Sequence, residues 1–431
     1  MNRNDNDRDR QSSRVGYAEP KRNAPIKEDP LRPILRGQSP KKENGFSLWS
    51  LLFSDSDFKI RSHGGIDRIL LVVVLLLVCF GSVMVFSASY AHAEARFDDS
   101  LYFIKRQIIW VVAGITVMVI TSLIDPSFYR AIARSAYAAT LFLLLLVPIA
   151  GEDMGGARRW FVIGPISIQP SELAKMTLVL MLAWFFSVYY EKATDYNNRY
   201  NSLKYGIILP LALIGTVCGL VALEKHLSGL IILGAIGIVV MFVAGSQIKY
   251  LGALSGVGVL GVAAMAIFTD YTKRRIDIWL NPEAYPLDGG WQTIHGMMAI
   301  GSGGIFGLGL GNSRLKYSYV SQPQNDFIFT IACEELGLIG ALAIITLFAL
   351  LVWRGFLIAV RHDDIFCKLT AIGITSKVAI QVLLNIAVVT NTIPNTGISL
   401  PFFSYGGSSL VMLLAEMGIL LSISRTSKIK K

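Results

Sequence analysis

Stretches of about 20 residues nearly free of charge, long enough to cross a bilayer as helices, recur about ten times along this chain. They fall at residues 66–87, 107–124, 131–150, 173–190, 205–223, 227–245, 251–269, 327–352, 369–389 and 406–424. No other feature constrains the fold as tightly. Inside a bilayer each backbone N–H and C=O must find a partner within its own segment, which favours an α-helix for every stretch. Hydrophobic residues make up 53% of the 431, more than a soluble core of this size would use. The expected fold is all-α: a polytopic integral membrane protein with about ten transmembrane helices.

An even number of crossings returns both termini to one side, and basic residues near the helix ends indicate which. With the N-terminus inside, the inner turns carry Arg130, Arg134, Lys192, Arg199, Lys204, Lys249, Arg354, Arg361 and Lys368, and Arg425, Lys428, Lys430 and Lys431 follow the last stretch. Both termini are therefore expected in the cytoplasm. The outer face still holds Lys105, Arg106, Arg158, Arg159, Lys273, Arg274, Arg275, Arg314 and Lys316. Topology does not require these cations, so some are expected to bind an anion.

Residues 1–64 mix both signs of charge with Pro, Asn, Ser and Gly and lack hydrophobic period, which reads as a disordered cytoplasmic tail. Within it, 46–53 reads equally as a short interfacial helix or an apolar patch. The membrane domain is expected over 65–425, with a cytoplasmic C-terminal tail at 426–431. The first apolar stretch starts too deep in the chain for a cleavable signal peptide. Cys79, Cys218, Cys333 and Cys367 lack metal-like spacing and read as buried small hydrophobes. The sequence offers no zinc motif, P-loop, Ser-His-Asp order or nucleic-acid module, so membrane lipids and not nucleic acid are the expected surroundings.

Between the seventh and eighth stretches the chain leaves the apolar pattern for residues 271–326, far longer than an ordinary connection. This large outer loop, placed at 270–325, is where aqueous chemistry is expected. Its glycine run, Gly301-Ser302-Gly303-Gly304 with Gly307, Gly309 and Gly311, matches a phosphate cradle in composition only. It has neither a preceding strand nor a Gly-Lys-Ser/Thr ending.

Four clusters carry candidate chemistry. In the first, Gly156-Ala157-Arg158-Arg159-Trp160-Phe161 precedes Gln169-Pro170-Ser171-Glu172-Leu173-Ala174-Lys175. Pro170 and Ser171 suit a turn and cap into the fourth helix, with Glu172 in its first turn and Lys175 within reach at i, i+3. The cluster reads either as a satisfied capping pair or as an edge where Arg158, Arg159 and Trp160 hold a phosphate and an apolar tail. The second cluster joins Lys273-Arg274-Arg275 and Trp279 to Asn281-Pro282-Glu283-Ala284-Tyr285-Pro286-Leu287-Asp288-Gly289-Gly290-Trp291-Gln292. Cations, carboxylates and indoles at this density suit pyrophosphate and sugar, or else an interfacial aromatic belt with solvated charges. Asn325-Asp326-Phe327-Ile328-Phe329-Thr330 with Glu334-Glu335-Leu336-Gly337 forms the third, its acids at the mouth of a membrane helix needing a partner or water. The fourth combines Gln381, Asn385 and Pro394 with Leu400-Pro401-Phe402-Phe403-Ser404-Tyr405-Gly406-Gly407-Ser408-Ser409. Its small residues allow a re-entrant or tightly packed approach to the last helix.

Together these motifs resemble the SEDS family (shape, elongation, division and sporulation), which includes FtsW, RodA and SpoVE, over residues 66–424. Thr396-Gly397-Ile398, ahead of the last motif, looks more like the FtsW/SpoVE branch than RodA. The resemblance implies a peptidoglycan glycosyltransferase in the bacterial cytoplasmic membrane. Such an enzyme polymerises lipid II, an undecaprenyl-pyrophosphate disaccharide peptide, at the outer face beside a class B penicillin-binding transpeptidase. A carboxylate would deprotonate the acceptor hydroxyl while Arg158, Arg159, Arg274 and Arg275 stabilise the departing pyrophosphate, with Trp160, Glu172, Lys175, Gln292, Asp326, Ser404 and Ser408 contacting substrate. No tightly bound cofactor is expected, although a divalent cation (Mg or Mn) would suit the pyrophosphate. A lipid II flippase, or a non-catalytic scaffold for the transpeptidase, are the alternatives.

Two departures from the family pattern bear on the site. The family's essential acid falls in a run like Asn-Pro-x-x-Asp-Pro-x-Gly-x-Gly-Tyr-Gln, and here Tyr285 stands in the acid's place. Asp288 is then the expected base, with Glu283 the nearest upstream carboxylate. After the fifth stretch a Gln-Pro-Asp-Leu-Gly-like run is replaced by Glu224-Lys225-His226-Leu227-Ser228-Gly229. Glu224 is expected to compensate for the acid, and His226 to be a polar turn residue. Lys377 and Glu416, deep in the last two helices, are expected to pair, because an unpaired charge there would be costly.

Overall fold

A computed structural model describes residues 65–153, 158–164, 166–224, 226–254, 256, 258, 270–286, 289–317, 319–320 and 322–426. Among them, eight helices are long and apolar enough to span a membrane. These are α1 (Arg68–Phe97), α2 (Tyr102–Leu123), α3 (Pro126–Ala150), α4 (Pro170–Ala193), α5 (Arg199–Leu223), α9 (Ile328–Val360), α10 (Ile365–Val389) and α11 (Gly407–Thr426). The shorter apolar helix α6 covers Leu227–Val243. Two further helices, α7 (Asp270–Leu280) and α8 (Gly289–Ser302), lie in the long excursion. Nine of the expected stretches thus coincide with described helices. Most of the tenth, 251–269, lies outside the described residues, as do the expected tail and interfacial segment within 1–64, and residues 427–431.

At one end of the bundle, the end expected to be cytoplasmic, three helices start on aspartate caps. Asp67 Oδ1 accepts from Leu70 N at 2.9 Å, Asp125 Oδ1 from Ser127 N at 2.8 Å, and Asp364 Oδ1 from Cys367 N at 3.0 Å. Each satisfies a backbone donor that the helix itself leaves orphaned. Asp67 also meets Arg354, and Asp364 meets Arg130 with Oδ2 2.5 Å from Nη2. Local capping and long-range pairing are served by the same carboxylates.

Inside the bundle, α10 and α11 are the most enclosed spans. The α2 and α11 helices share the most extensive interface. They approach closely at Gly418, where any Cβ would collide with Thr121 Oγ1 and the Met118 carbonyl, and Thr121 Oγ1 donates across the seam to Ala415 O at 3.2 Å. Small residues that let backbones touch are the usual means of association between apolar helices. The cysteine expectation is corrected in part. Cys333 and Cys367 are buried, Cys218 is half-buried and Cys79 is exposed on α1, where an apolar thiol facing lipid costs little.

The fold is helical as expected, and a small sheet joins two of its helices. After α3, the strands β1 (Glu152–Asp153), β2 (Arg158–Ile163) and β3 (Ile166–Ile168) form an antiparallel sheet in that order. Glu152 pairs with Trp160, and Phe161 with Ile168. The run Trp160-Phe161-Val162-Ile163 consists of strong strand formers, and Gly164 takes the positive φ of +60° needed to reverse the chain.

The glycine run has a steric role. In α9, Gly337 adopts φ +67°, ψ −166° and breaks the helix. Where an unbroken helix would bond Leu338 N to Glu334 O and Ile339 N to Glu335 O, residues 304–309 intervene. Leu338 N donates to Gly304 O at 2.9 Å and Ile339 N to Ile305 O at 3.2 Å, while the Glu334 and Glu335 carbonyls accept from Leu308 N and Gly309 N, each at 3.0 Å. A Cβ on Gly303 or Gly307 would strike the Cys333 or Glu335 carbonyl at 2.0 and 2.2 Å. The excursion is therefore stitched into a membrane helix, with every displaced backbone group repaired as irregular structure beside a bilayer requires.

Candidate functional site at the outer face

Side chains hold the same junction together. Lys316 Nζ lies 3.0 Å from Glu335 Oε1, with both side chains fully buried. Ser87 Oγ of α1 donates to Glu335 at 2.6 Å, and Ser313 Oγ donates to Glu334 Oε2 at 2.5 Å. The acids of the third cluster thus find partners inside the protein and anchor the excursion. Gly290 does similar work for the second cluster: the Pro282 and Tyr285 carbonyls lie 2.2 and 2.6 Å from where its Cβ would be. The 3-10 turn Pro282–Ala284 folds directly over the start of α8.

On the outer side, α7 docks against the chain following α10. Arg275 Nη1 donates to Asn395 O at 2.6 Å, and Trp279 Nε1 to Asn391 O at 2.9 Å. Asp326 borders the same segment, its Oδ2 lying 3.2 Å from the Cβ position of Gly397. Its backbone carbonyl accepts from Asn385 Nδ2 at 2.8 Å, and Asn385 also donates to Ile398 O at 2.7 Å. Burial pushes the Asp326 carboxyl up to about 6, against the pull of Arg275. Ser228, at the start of α6, donates to Thr396 O. Segment 395–398 is consequently gripped from α6, α7 and α10.

From Ser228 the site continues to the α5–α6 turn. Glu224 is only 2% exposed and neither of its carboxylate oxygens has a hydrogen-bond partner. Its backbone carbonyl accepts from Arg159 Nε at 3.3 Å. Burial pushes its carboxyl up to about 8, with Arg159 opposing. His226, two residues on, has Nδ1 3.3 Å from Ser171 Oγ and 3.5 Å from Gln169 Nε2. Burial, reinforced by Arg159, lowers it to about 4. Glu172 and Lys175 pair at 2.7 Å, as the i, i+3 spacing predicts. A small cavity of ≈ 20 Å³ touches Glu172, Lys377, Gln381, Ser399, Ser404 and Ser409, sized for water and not for sugar.

The structure therefore brings Arg159, Glu172, Lys175 and Glu224 into one neighbourhood, connected through Ser228 and segment 395–398 to Arg275 and Asp326. Of the other expected site residues, Ser404 shares the small cavity with Glu172, and the rest are not brought into contact with this group among the described residues. Arg158 is exposed and donates to Pro148 O at 3.1 Å, closing β2 onto α3. Trp160 is half-buried in the sheet, Arg274 and Glu283 are exposed, and Gln292 is half-buried early in α8. Ser404 Oγ accepts from Leu400 N at 2.7 Å and donates to Asn325 O at 2.9 Å, locking the loop before α11, while Ser408 Oγ is buried without a partner. Asp288 lies outside the described residues. Expected as part of a cap, Ser171 instead lies inside α4. Gln169 is the boundary residue, and Pro170 starts the helix with its fixed φ.

His226 was expected to be a turn residue, and its contacts with Ser171 and Gln169 come from elements distant in sequence. Its signal in the chain was faint: a polar triplet, Glu224-Lys225-His226, between two apolar stretches. Among the described residues no three or more His, Cys, Asp or Glu side chains gather as a metal site. None of the steps proposed below passes through a divalent cation.

Comparison with known proteins agrees with this architecture. The chain is 40% identical over 365 residues to stage V sporulation protein E of Bacillus subtilis (strain 168), covering 84% of this chain and 98% of that protein. It is 35% identical over 367 residues to the probable peptidoglycan glycosyltransferase FtsW of Geobacter sp. (strain M18), covering 85% and 98%. A chain in a solved peptidoglycan synthase complex, described as coordinating polymerization and crosslinking, superposes with a TM-score of 0.70 at 28% identity, covering 84% of this chain and 98% of that one. The model of the cell cycle protein family matches residues 67–429. The chain is a multi-pass bacterial membrane protein belonging to the family of cell cycle proteins FtsW, RodA and SpoVE.

Proposed function

We propose that this protein is a peptidoglycan glycosyltransferase that polymerises lipid II at the outer face of the cytoplasmic membrane, beside a class B penicillin-binding transpeptidase. The observation that carries the reading is the outer-face assembly of Arg159, Glu224, Arg275 and Asp326 around segment 395–398. It combines cationic guanidinium groups with carboxyls whose protons are held unusually tightly. Guanidinium suits pyrophosphate oxygens, and a carboxyl that keeps its proton can donate a hydrogen bond to a substrate oxygen.

In the proposed reaction the acceptor's 4-hydroxyl oxygen attacks the donor's anomeric carbon. The new C–O bond forms as the bond to pyrophosphate breaks, inverting the anomeric centre. Asp288 takes the hydroxyl proton, with Glu283 as the alternative base. Arg159 and Arg275, with Arg158 and Arg274 toward solvent, stabilise the charge that develops on the leaving pyrophosphate. Trp160 and Gln292 line the approach of the lipid-linked sugar. Glu224 provides the acid of the replaced fifth-stretch motif.

Purified protein with labelled lipid II, assayed in the presence of moenomycin and with or without a class B partner, tests the reading. Moenomycin-resistant glycan polymer is expected. Lipid transfer between leaflets without polymer would indicate the flippase, and neither activity would indicate the scaffold. Undiminished polymerisation by Asp288→Ala would remove that residue as base.

A further inference from the structure

At the opposite end of the bundle, the start of α1, the last turns of α9 and the end of α11 enclose a second pocket of ≈ 270 Å³. Its lining includes Asp67, Arg68, Ile69, Arg354, Ile358 and Arg361. Asp67 is committed twice, capping α1 and pairing with Arg354, and its backbone N–H donates to Ser424 Oγ at 3.1 Å. Arg354 Nε is buried without a hydrogen-bond partner. Among the described residues neither Arg68 nor Arg361 pairs with a carboxylate. Three guanidinium groups thus face one pocket whose single acid is already engaged.

Depth and chemistry indicate the ligand. Trp353 is 55% exposed beside Arg354, whose guanidinium carbon lies 5.8 Å from its ring centroid. Exposed tryptophan concentrates at the headgroup level of a bilayer. Ile69 is also exposed on the lipid-facing side of the pocket, so apolar surface continues directly from the cationic recess. A basic recess opening on an apolar flank at this depth suits a phosphate with an attached acyl chain better than a free ion.

We propose that this pocket binds the phosphate of an anionic phospholipid of the inner leaflet. Arg68 and Arg361 hold its oxygens, Arg354 and its Asp67 partner form the wall behind them, and an acyl chain runs along Ile69. The lipid would join α1 to α9 where Asp67 and Arg354 already meet.

Native mass spectrometry of the full chain, released from vesicles containing cardiolipin or phosphatidylglycerol in phosphatidylcholine, reads retained lipid directly. Wild type is expected to retain anionic lipid in preference to phosphatidylcholine. Arg68→Gln combined with Arg361→Gln should lower that retention about 25-fold, corresponding to roughly 1 kcal/mol per arginine. Both side chains are exposed, so the fold should survive, and an unchanged melting temperature in detergent checks this. Lys192→Gln with Lys204→Gln, a pair of cations elsewhere on the same face, should leave retention unchanged. Equal retention by wild type and the double arginine variant overturns the proposal. So does an equal loss in the lysine control, which would mean surface charge alone, or full displacement of lipid by millimolar inorganic phosphate, which would mean a free-anion site.

Discussion

Lys377 Nζ on α10 sits 2.7 Å from Oε1 and 2.8 Å from Oε2 of Glu416 on α11, and both side chains are almost completely buried. The two helices run antiparallel, so this pair crosslinks the most enclosed part of the bundle. Removing one partner leaves the other as an uncompensated buried charge, which costs about 3–5 kcal/mol in comparable buried pairs. Lys377→Met and Glu416→Gln should each lower the detergent melting transition markedly. The charge-swapped double variant should recover much of the loss. Equal damage in the double variant would show that the two charges do not act as a pair.

Breaking the Lys316–Glu335 contact should have a local signature. Glu335→Gln removes the charge that Lys316 and Ser87 converge on. Hydrogen exchange across 303–317 should accelerate by at least tenfold, with little change in α2 and α3. Uniform acceleration throughout the protein would instead indicate general unfolding.

Glycine at 337 is required by backbone conformation as well as space. At φ +67° an added Cβ would lie 2.3 Å from Gly307 N and 2.5 Å from Ile305 O. Gly337→Ala is expected to cost more than about 2 kcal/mol and to reduce folded yield. Gly301→Ala, where a Cβ meets nothing within 4 Å, should be tolerated. Size-exclusion chromatography after extraction compares the two.

Glu224 predicts a pH effect of definite sign. Its folded carboxyl is raised by burial to about 8 from an ordinary 4.5, so the folded state keeps a proton that the unfolded state has lost between those values. Stability therefore falls as pH rises through this window, by at most about 1.4 kcal/mol per pH unit, and levels off above the folded value. Glu224→Gln should remove that slope and be more stable than wild type at pH 8. His226 titrates in both proteins, so its contribution largely cancels in the difference. Parallel melting curves from pH 5 to pH 8.5 would refute the assignment.

Arg275 should matter more to activity than Arg158. The first is half-buried and aimed at segment 395–398, whereas the second is exposed and bound to the end of α3. Arg275→Ala should reduce lipid II polymerisation about 100-fold, the usual effect of losing one preorganised charge-stabilising donor. Arg158→Ala should cost less than about tenfold. Initial rates with labelled lipid II decide the order.

Much of this was legible in the chain because bilayers impose simple rules. Apolar length located nine of the described helices, the expense of buried charge was enough to pair Lys377 with Glu416, and i, i+3 spacing put Lys175 within reach of Glu172. The sheet at 152–168 was missed because the Trp160-Phe161-Val162-Ile163 run is short and sits between two membrane stretches. The site was only partly legible. Nothing local says that Arg275 reaches the Asn395 carbonyl, or that Ser228 bonds Thr396, since both contacts arise from how distant helices converge. Nor could the glycine run reveal its purpose, because its partner is a break in a helix that reads in sequence as continuous.

That break gives the outer excursion and α9 a shared fate. Residues 304–309 and 334–339 exchange backbone partners so completely that neither segment has its hydrogen bonds satisfied without the other. The loop is thus not a module that can be transplanted between relatives on its own. A chimera carrying a foreign 271–326 segment should fold only when the first turns of α9 travel with it, and an inserted residue on either side would shift the whole register of the exchange.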